Sequence, residues 1–262
     1  MDSLKNCKRI TVKIGSSTLT HSATGRLNIR RIESLVRVLS DIKNSGRQIV
    51  LVSSGAVSAG AAKIGFPMGG RSLAEKQALA AIGQTELMRL YERLFASYGY
   101  NVGQILMTKD VVDDPHRLEL AKNTFSKLLE LGCVPIVNEN DSVSSEELQF
   151  GGNDTLSAYV AMVSGSDLLI NMSDIDGLYD SDPRKNPDAK IIRTVHELSD
   201  DILACAGGAG TDRGTGGMIT KLKAAGIVGD AGIPMVIMNG KDPVMLYSVI
   251  EGAKVGTFFN LR

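Results

Sequence analysis

The chain has no tryptophan and only 5% aromatic residues, so it carries no stacking platform for bases. Its 29 basic and 29 acidic residues cancel to a formal net charge of zero and are spread along the sequence, which leaves no basic face for nucleic acid. Three cysteines, Cys7, Cys133 and Cys205, are too few and too scattered for a disulfide framework or a C-x-x-C site, and read as reduced thiols of a cytoplasmic protein. The three histidines, His21, His116 and His196, fall in predicted loops without metal-ligand spacing, so neither a protein-bound metal nor a histidine base is expected. No apolar run approaches a membrane span, and the early charges Lys5, Lys8 and Arg9 lead into a short strand rather than a signal-peptide core. Two nucleotide signatures are missing as well. Gly240-Lys241 is followed by Asp242 and lacks the upstream glycine of a P-loop, and no G-x-G-x-x-G follows a predicted strand.

What is present is an alternation of strands and helices. Arg9 to Ile14, Gln48 to Val52, Val102 to Met107, Val134 to Val137, Leu168 to Met172, Met235 to Met238 and Gly256 to Phe259 read as strands. Between them the pattern predicts helices from Asn28 to near Gly46, from Ser72 to Tyr98, from Arg117 to Leu131, from Asp154 to Ser164, onward from Met218 to about Asp230, and from Pro243. The alanine-rich first half of the Ser72 to Tyr98 helix is suited to close packing against another helix, of this chain or of a second subunit. The turn formers from Asp180 to Ala189, with Ile191-Ile192 after them, predict a small hairpin flap. Strand and helix in repetition imply an α/β chain with a mostly parallel open sheet. No linker or repeat interrupts its 262 residues, which predicts one domain, 1–262, with an N-terminal lobe of about 1–165 and a C-terminal lobe of about 166–262.

Four strands end in polar or glycine-rich turns: Lys13 to Ser17, Ser53 to Gly55, Asn138 to Asp141, and Ser173 to Asp174. The carboxyl edge of a parallel sheet is where ligands collect. The run Gly214-Thr215-Gly216-Gly217-Met218-Ile219-Thr220-Lys221 predicts a phosphate cradle, with glycines that admit a close ligand, a helix start that favours negative charge, and a lysine one turn inside. Read locally, such a run is more often a flexible loop capping a surface helix, and Lys221 is expected on an exposed, ligand-facing turn. Ser53 to Gly60 likewise fits either an anion site or a tight helix contact, and Asp154 is a natural N-cap. Two lysines, a cradle and several acidic or amide groups fit phosphoryl transfer, in which positioning and charge neutralisation do most of the work. A carboxylate acceptor, with a pKa of about 4, needs no base.

Taken together, Val12 to Ser17, Val52 to Ala56, Pro135 to Asp141, Phe150 to Ala158, Ser173 to Tyr179 with Asp182-Pro183-Arg184, and Gly214 to Lys221 resemble the amino acid kinase family, in its order and over almost the full length. Within that family the motifs are most similar to those of the members that phosphorylate glutamate. The resemblance implies an αβα sandwich of the carbamate kinase-like fold. It implies transfer of the γ-phosphoryl group of ATP, with Mg²⁺, to the side-chain carboxylate of L-glutamate, the first step of proline biosynthesis in the cytoplasm. Lys13 and Lys221 would flank the migrating group, with Asp154 orienting them. Ser54, Asn138, Asp141 and Asn153 would hold glutamate. Lys13, Gly15, Ser173, Asp174 and Thr215, Gly216, Gly217, Met218, Ile219, Thr220 and Lys221 would bind the nucleotide, with no metal ligand among the side chains. A homo-oligomer and a γ-glutamyl phosphate reductase are the implied protein partners.

The chain departs from the family pattern at Gly152, where an acidic residue is common, and it ends at Arg262, without the C-terminal PUA domain of many relatives. An N-acetylglutamate or aspartate kinase of the same fold, and a nucleotide-binding regulatory protein without turnover, are the competing readings.

Overall fold

The computed structural model describes residues 2–67, 69–144, 150–206 and 217–261. Among them, eight strands and ten α-helices follow in the order β1 (Arg9–Ile14), α1 (Ser16–Leu19), α2 (Ile29–Asn44), β2 (Gln48–Val52), α3 (Ala56–Ile64), α4 (Leu73–Ala96), β3 (Val102–Met107), α5 (Asp110–Asp113), α6 (Pro115–Glu130), β4 (Val134–Glu139), α7 (Asn153–Val163), β5 (Leu168–Ser173), β6 (Thr194–Val195), α8 (Asp200–Ala206), α9 (Met218–Asp230), β7 (Met235–Asn239), α10 (Met245–Ile250) and β8 (Thr257–Phe259). The strands make one sheet in the order β3-β4-β2-β1-β5-β7-β8-β6. Every pairing is parallel except β7 with β8. After β1 the chain builds outward on one side through β2, β3 and β4, and then returns to lay β5 and β7 on the other. The loops that leave β1 and β5 therefore diverge and open a crevice at the carboxyl edge between them.

The continuous apolar runs of the strands supply both faces of the sheet, as a parallel sheet buried on two sides requires. Ile10, Val12 and Ile14 of β1, Ile49 and Leu51 of β2, Leu168, Ile170 and Met172 of β5, and Val236 and Met238 of β7 join one core with residues of α2, α4 and α10. The alternate residues Val50 and Val52 pack with α6 and α7, and Leu169, Met235 and Ile237 pack with α7 and α9. On this second face, the central strands β1 and β5 break the apolar pattern at Thr11, Lys13 and Asn171, all buried. Lys13 and Asn171 are cross-strand partners in the register, so they stand side by side in the same row.

Local signals set the helix ends. Ser72 and Glu75 form a reciprocal capping box at the start of α4, and the Asn28 and Asp114 side chains accept from the first-turn N–H groups of α2 and α6. Asp154 is not the N-cap expected of it. The helix begins one residue earlier, at Asn153, with Gly152 as its cap. Gly152 has φ 116° and ψ 162°, a backbone region essentially confined to glycine, so at this position glycine serves the path of the chain. The two-residue β6 and the short α8 carried too little periodicity to be predicted. The flap is real in outline: Tyr179 and Ile191 form an antiparallel bridge that closes the turn-rich segment between them.

The alanine-rich half of α4 meets α3 of the same chain, and glycines set the closeness of that crossing. A Cβ added at Gly60 would lie 1.9 Å from the Leu79 carbonyl oxygen, and one at Gly83 would lie 1.8 Å from the Ala56 carbonyl oxygen. Ala56 opens α3 beside Ser54 and Gly55, so the crossing fixes one wall of the crevice. Gly83→Ala is expected to lower stability by about 3 kcal/mol, because backbone rather than a flexible side chain must give way. Urea unfolding of the wild type and the variant measures the difference, and a loss under about 1 kcal/mol, the scale of an ordinary surface change, would show that the crossing tolerates separation.

Candidate active site

The crevice holds two joined cavities. The first, of about 520 Å³, is lined by Lys13, Gly15, Ser54, Asn138, Asp141, Asn153, Asp154, Ser173, Asp174 and Lys221 together with the Ser16–Thr20 and Gly55–Ser58 turns. The second, of about 310 Å³, is lined by Ser173 to Asp176, Tyr179, Pro183, Arg184, Gly217, Met218, Lys221, Asn239 and Lys241. Ser173, Asp174 and Lys221 line both and mark the junction.

At that junction a single carboxylate gathers four donors. One Asp154 oxygen accepts from Lys13 Nζ at 2.6 Å and from Asn171 Nδ2 at 2.8 Å, and the other from Lys221 Nζ at 3.1 Å and Thr220 Oγ1 at 2.7 Å. The three charged residues are almost wholly buried, at 6% exposure for Lys13, 2% for Asp154 and 4% for Lys221. Asp154 can stand there because α7 lays its first turn across the sheet above Lys13 and Asn171. Lys221, the fourth residue of α9, arrives because α7 and α9 pack in one core, to which α7 gives Ala158 and Ala161 and α9 gives Leu222, Ala224 and Ala225. Burial on its own raises a carboxyl pKa, yet the two ammonium groups and the Asn171 bond hold Asp154 well below the usual carboxylate range. Lys13 is pushed the other way: loss of solvent lowers its pKa, Asp154 raises it, and the neighbouring Lys221 lowers it again. Two ammonium groups on one carboxylate leave the buried trio one positive charge in excess. Such a site favours an anion.

The first cavity is polar and tightly tied. Asn153 Nδ2 donates to the Ser54 hydroxyl at 2.7 Å, the Ser53 carbonyl at 2.9 Å and Asn138 Oδ1 at 3.0 Å, which joins the ends of β2, β4 and α7. Gln84 of α4 accepts from Asn138 Nδ2 at 3.0 Å. The buried Glu139 carboxylate accepts from the Phe150 N–H at 3.0 Å and the Ser144 hydroxyl at 3.4 Å. Burial raises the pKa of Glu139, with a smaller push from Asp141, and burial alone raises that of Asp141. The Asp141 side chain has no hydrogen-bond or ion-pair partner among the described residues, and its carboxylate faces a cavity suited to a cation. In the second cavity, Asp176 accepts from Asn239 Nδ2 at 2.6 Å and from the Tyr179 hydroxyl at 3.3 Å, and Asp182 accepts from Arg184 Nε at 3.0 Å.

The structure thus draws together Lys13, Gly15, Ser54, Asn138, Asp141, Asn153, Asp154, Ser173, Asp174, Gly217, Met218, Thr220 and Lys221. Thr220 takes part through Asp154 without lining a cavity. Ile219 does not join them: its side chain is 64% exposed and lines neither cavity. Thr215 and Gly216 lie outside the described residues. Lys221 is not on an exposed turn, because the packing of α9 against α7 encloses it. Asn171, Gln84, Asn239 and Lys241 were given no site role from sequence, and Tyr179 and Arg184 only a place in the quoted motifs. Only Asn171 left a signal there, as an amide inside an otherwise apolar strand.

The model of the amino acid kinase family matches residues 8–239. The chain is 53% identical over 257 residues to the glutamate 5-kinase of Clostridium tetani, covering 98% of this chain and 96% of that protein. It is 47% identical over 262 residues to the glutamate 5-kinase of Listeria innocua, with 98% and 95% covered. Among solved structures, the carbamate kinase of Giardia lamblia bound to AMP-PNP superposes with a TM-score of 0.69 at 15% identity, covering 98% of this chain and all (100%) of that one. The UMP kinase of Bacillus anthracis superposes with a TM-score of 0.65 at 19% identity over 97% and 96%. At such identities these structures speak for the fold alone.

Asp154→Asn is expected to cost about 3–5 kcal/mol in urea unfolding, because two buried ammonium groups lose their anion. Lys221→Ala should cost clearly less, since Asp154 keeps Lys13 and the repulsion between the lysines disappears. Equal losses in the two variants would show that excess charge does not govern the trio. The folded pKa of Asp154 lies below its unfolded value, so its stabilisation is complete above about pH 4 and is lost only as pH falls through the depressed value.

Proposed function

The chain belongs to the amino acid kinase family, and on that premise we propose that it transfers the γ-phosphoryl group of ATP to the side-chain carboxylate of L-glutamate, giving γ-glutamyl phosphate and ADP, the first step of proline biosynthesis. The observation that carries this reading is the buried pair Lys13 and Lys221 on Asp154, one positive charge in excess, at the junction of two cavities. The relatives named above supply the acceptor. The first cavity, lined mainly from residues 1–165, takes glutamate, and the second, lined from residues 166–262, takes the nucleotide.

An oxygen of the glutamate side chain, already ionised at neutral pH, attacks the γ-phosphorus, and the bond from that phosphorus to the bridging oxygen of ADP breaks. No proton changes hands, so the step asks for no general base. Lys13 and Lys221 neutralise charge on the transferred group as it moves, and Asp154 fixes where they stand. Among the described residues no three acidic, cysteine or histidine side chains cluster as a metal cage. Magnesium fits here as an ion carried by the nucleotide phosphates, with Asp174 the carboxylate common to both cavities. When bound, it neutralises phosphate charge. On the acceptor side, Asp141 pairs with the glutamate ammonium group, while Ser54, Asn138 and Asn153 hold the remaining polar atoms.

The acyl phosphate product is a mixed anhydride, activated for reduction, and a γ-glutamyl phosphate reductase is the partner that consumes it. Homo-oligomers remain part of the reading. No described helix is long and apolar enough to cross a membrane, and none of the three cysteines is in a disulfide, and a cytoplasmic setting fits both.

A coupled assay of ADP release should show turnover that depends on both glutamate and Mg²⁺, and equal release without glutamate would overturn the assignment. Asp141→Ala should raise the glutamate KM by about tenfold or more, the worth of a charge-assisted contact, with ATP use little changed. An unchanged glutamate KM would move Asp141 off the acceptor side. Lys221→Ala should lower kcat by about a hundred- to a thousandfold, and ATP affinity by much less, the pattern of a charge that acts most strongly in the transition state. A near-normal kcat, with melting curves showing a folded variant, would place Lys221 outside the chemistry.

A further inference from the structure

Asn171 sits in the middle of β5 with no exposed surface, among Leu168, Leu169, Ile170 and Met172. Its Nδ2 donates to Asp154 at 2.8 Å, to the same oxygen that Lys13 holds, while its Oδ1 is buried without a hydrogen-bond partner among the described residues. The orientation of the amide follows from that partner, since the reverse orientation would set oxygen against oxygen. A buried acceptor left unpaired costs about 1–3 kcal/mol, while the amide's hydrogen bond to a charged carboxylate returns about 1.5–3 kcal/mol, so its net contribution to stability is small. Stability alone therefore does not call for an amide at this position, where its neighbours in the strand are leucine, isoleucine and methionine. Asp154 would not be orphaned by the change, because Lys13 remains on the same oxygen. What the amide adds is geometric. It is the one neutral donor on that oxygen, and it projects from the strand beside Lys13 in direct register.

We propose that Asn171 is a positioning residue for phosphoryl transfer, whose amide fixes the Asp154 oxygen that aims Lys13 at the migrating group. The proposal rests on the roles assigned to Lys13 and Asp154 above. Aim matters most when the phosphoryl group lies between its two oxygens, so loss of the amide weakens the transition state more than the bound substrates.

Two variants test this in the full chain, by steady-state kinetics with ATP and glutamate and by thermal melting. Asn171→Leu should melt within a few degrees of the wild type, lose on the order of tenfold in kcat, and keep both KM values within about twofold. Asn171→Ala removes the donor with a side chain too small to overfill the site, so its kcat should fall on the same scale with both KM values again within about twofold. A merely structural amide predicts the reverse for the leucine variant, a lower melting temperature with kcat intact, and that result would overturn the proposal. Should the leucine variant not fold, the alanine variant decides: a wild-type kcat would sink the idea. A wild-type chain with no glutamate-dependent ADP release would instead defeat the functional reading itself, which separates the two failures.

Discussion

One buried carboxylate shared by two ammonium groups is the constraint on which this structure turns. Three charges withdrawn from water carry a desolvation cost that their mutual attraction offsets only with good geometry and further hydrogen bonds. Asp154 meets that condition with Asn171 and Thr220 beside the two lysines. The trio is still unbalanced by one charge, and it is buried at the meeting point of two cavities. A purely structural ion pair has no reason to carry the excess, whereas a site that receives polyphosphate does.

The sheet topology makes this junction possible. Lys13 lies near the carboxyl end of β1, the central strand from which the chain builds to either side, so residues from both halves of the molecule reach it over short distances. α7 comes from the segment that follows β4, and α9 from the segment before β7. Their shared core brings Asp154 and Lys221 into contact, so the distance between the two charges is set by core packing. Charge chemistry also divides the two cavities. The first contains carboxylates whose pKa burial raises, a setting for an ammonium group, while the second begins at the N-terminus of α9, a setting for phosphate.

The sequence by itself determined the class of the fold and most of the residues that meet in the crevice. Continuous apolar runs such as Gln48 to Val52 can only be strands buried on both faces, and polar turns after parallel strands must gather at one edge of the sheet. The position of Lys13 at such an edge, and of Lys221 one turn inside a helix, was legible for the same reason. Tertiary structure decided the rest. Periodicity says that Asp154 lies at a helix start but not whether its carboxylate caps that helix or turns toward the sheet, because the choice depends on two lysines 141 and 67 positions away. Nor does sequence show that Lys221 is enclosed, since a lysine four residues into an amphipathic helix is ordinarily solvated, and only the packing of α7 against α9 removes the water. Asn171 is the sharpest case. In one dimension it is a lone amide in a hydrophobic strand, and its meaning comes from the register that sets it beside Lys13 and the helix crossing that sets Asp154 above it.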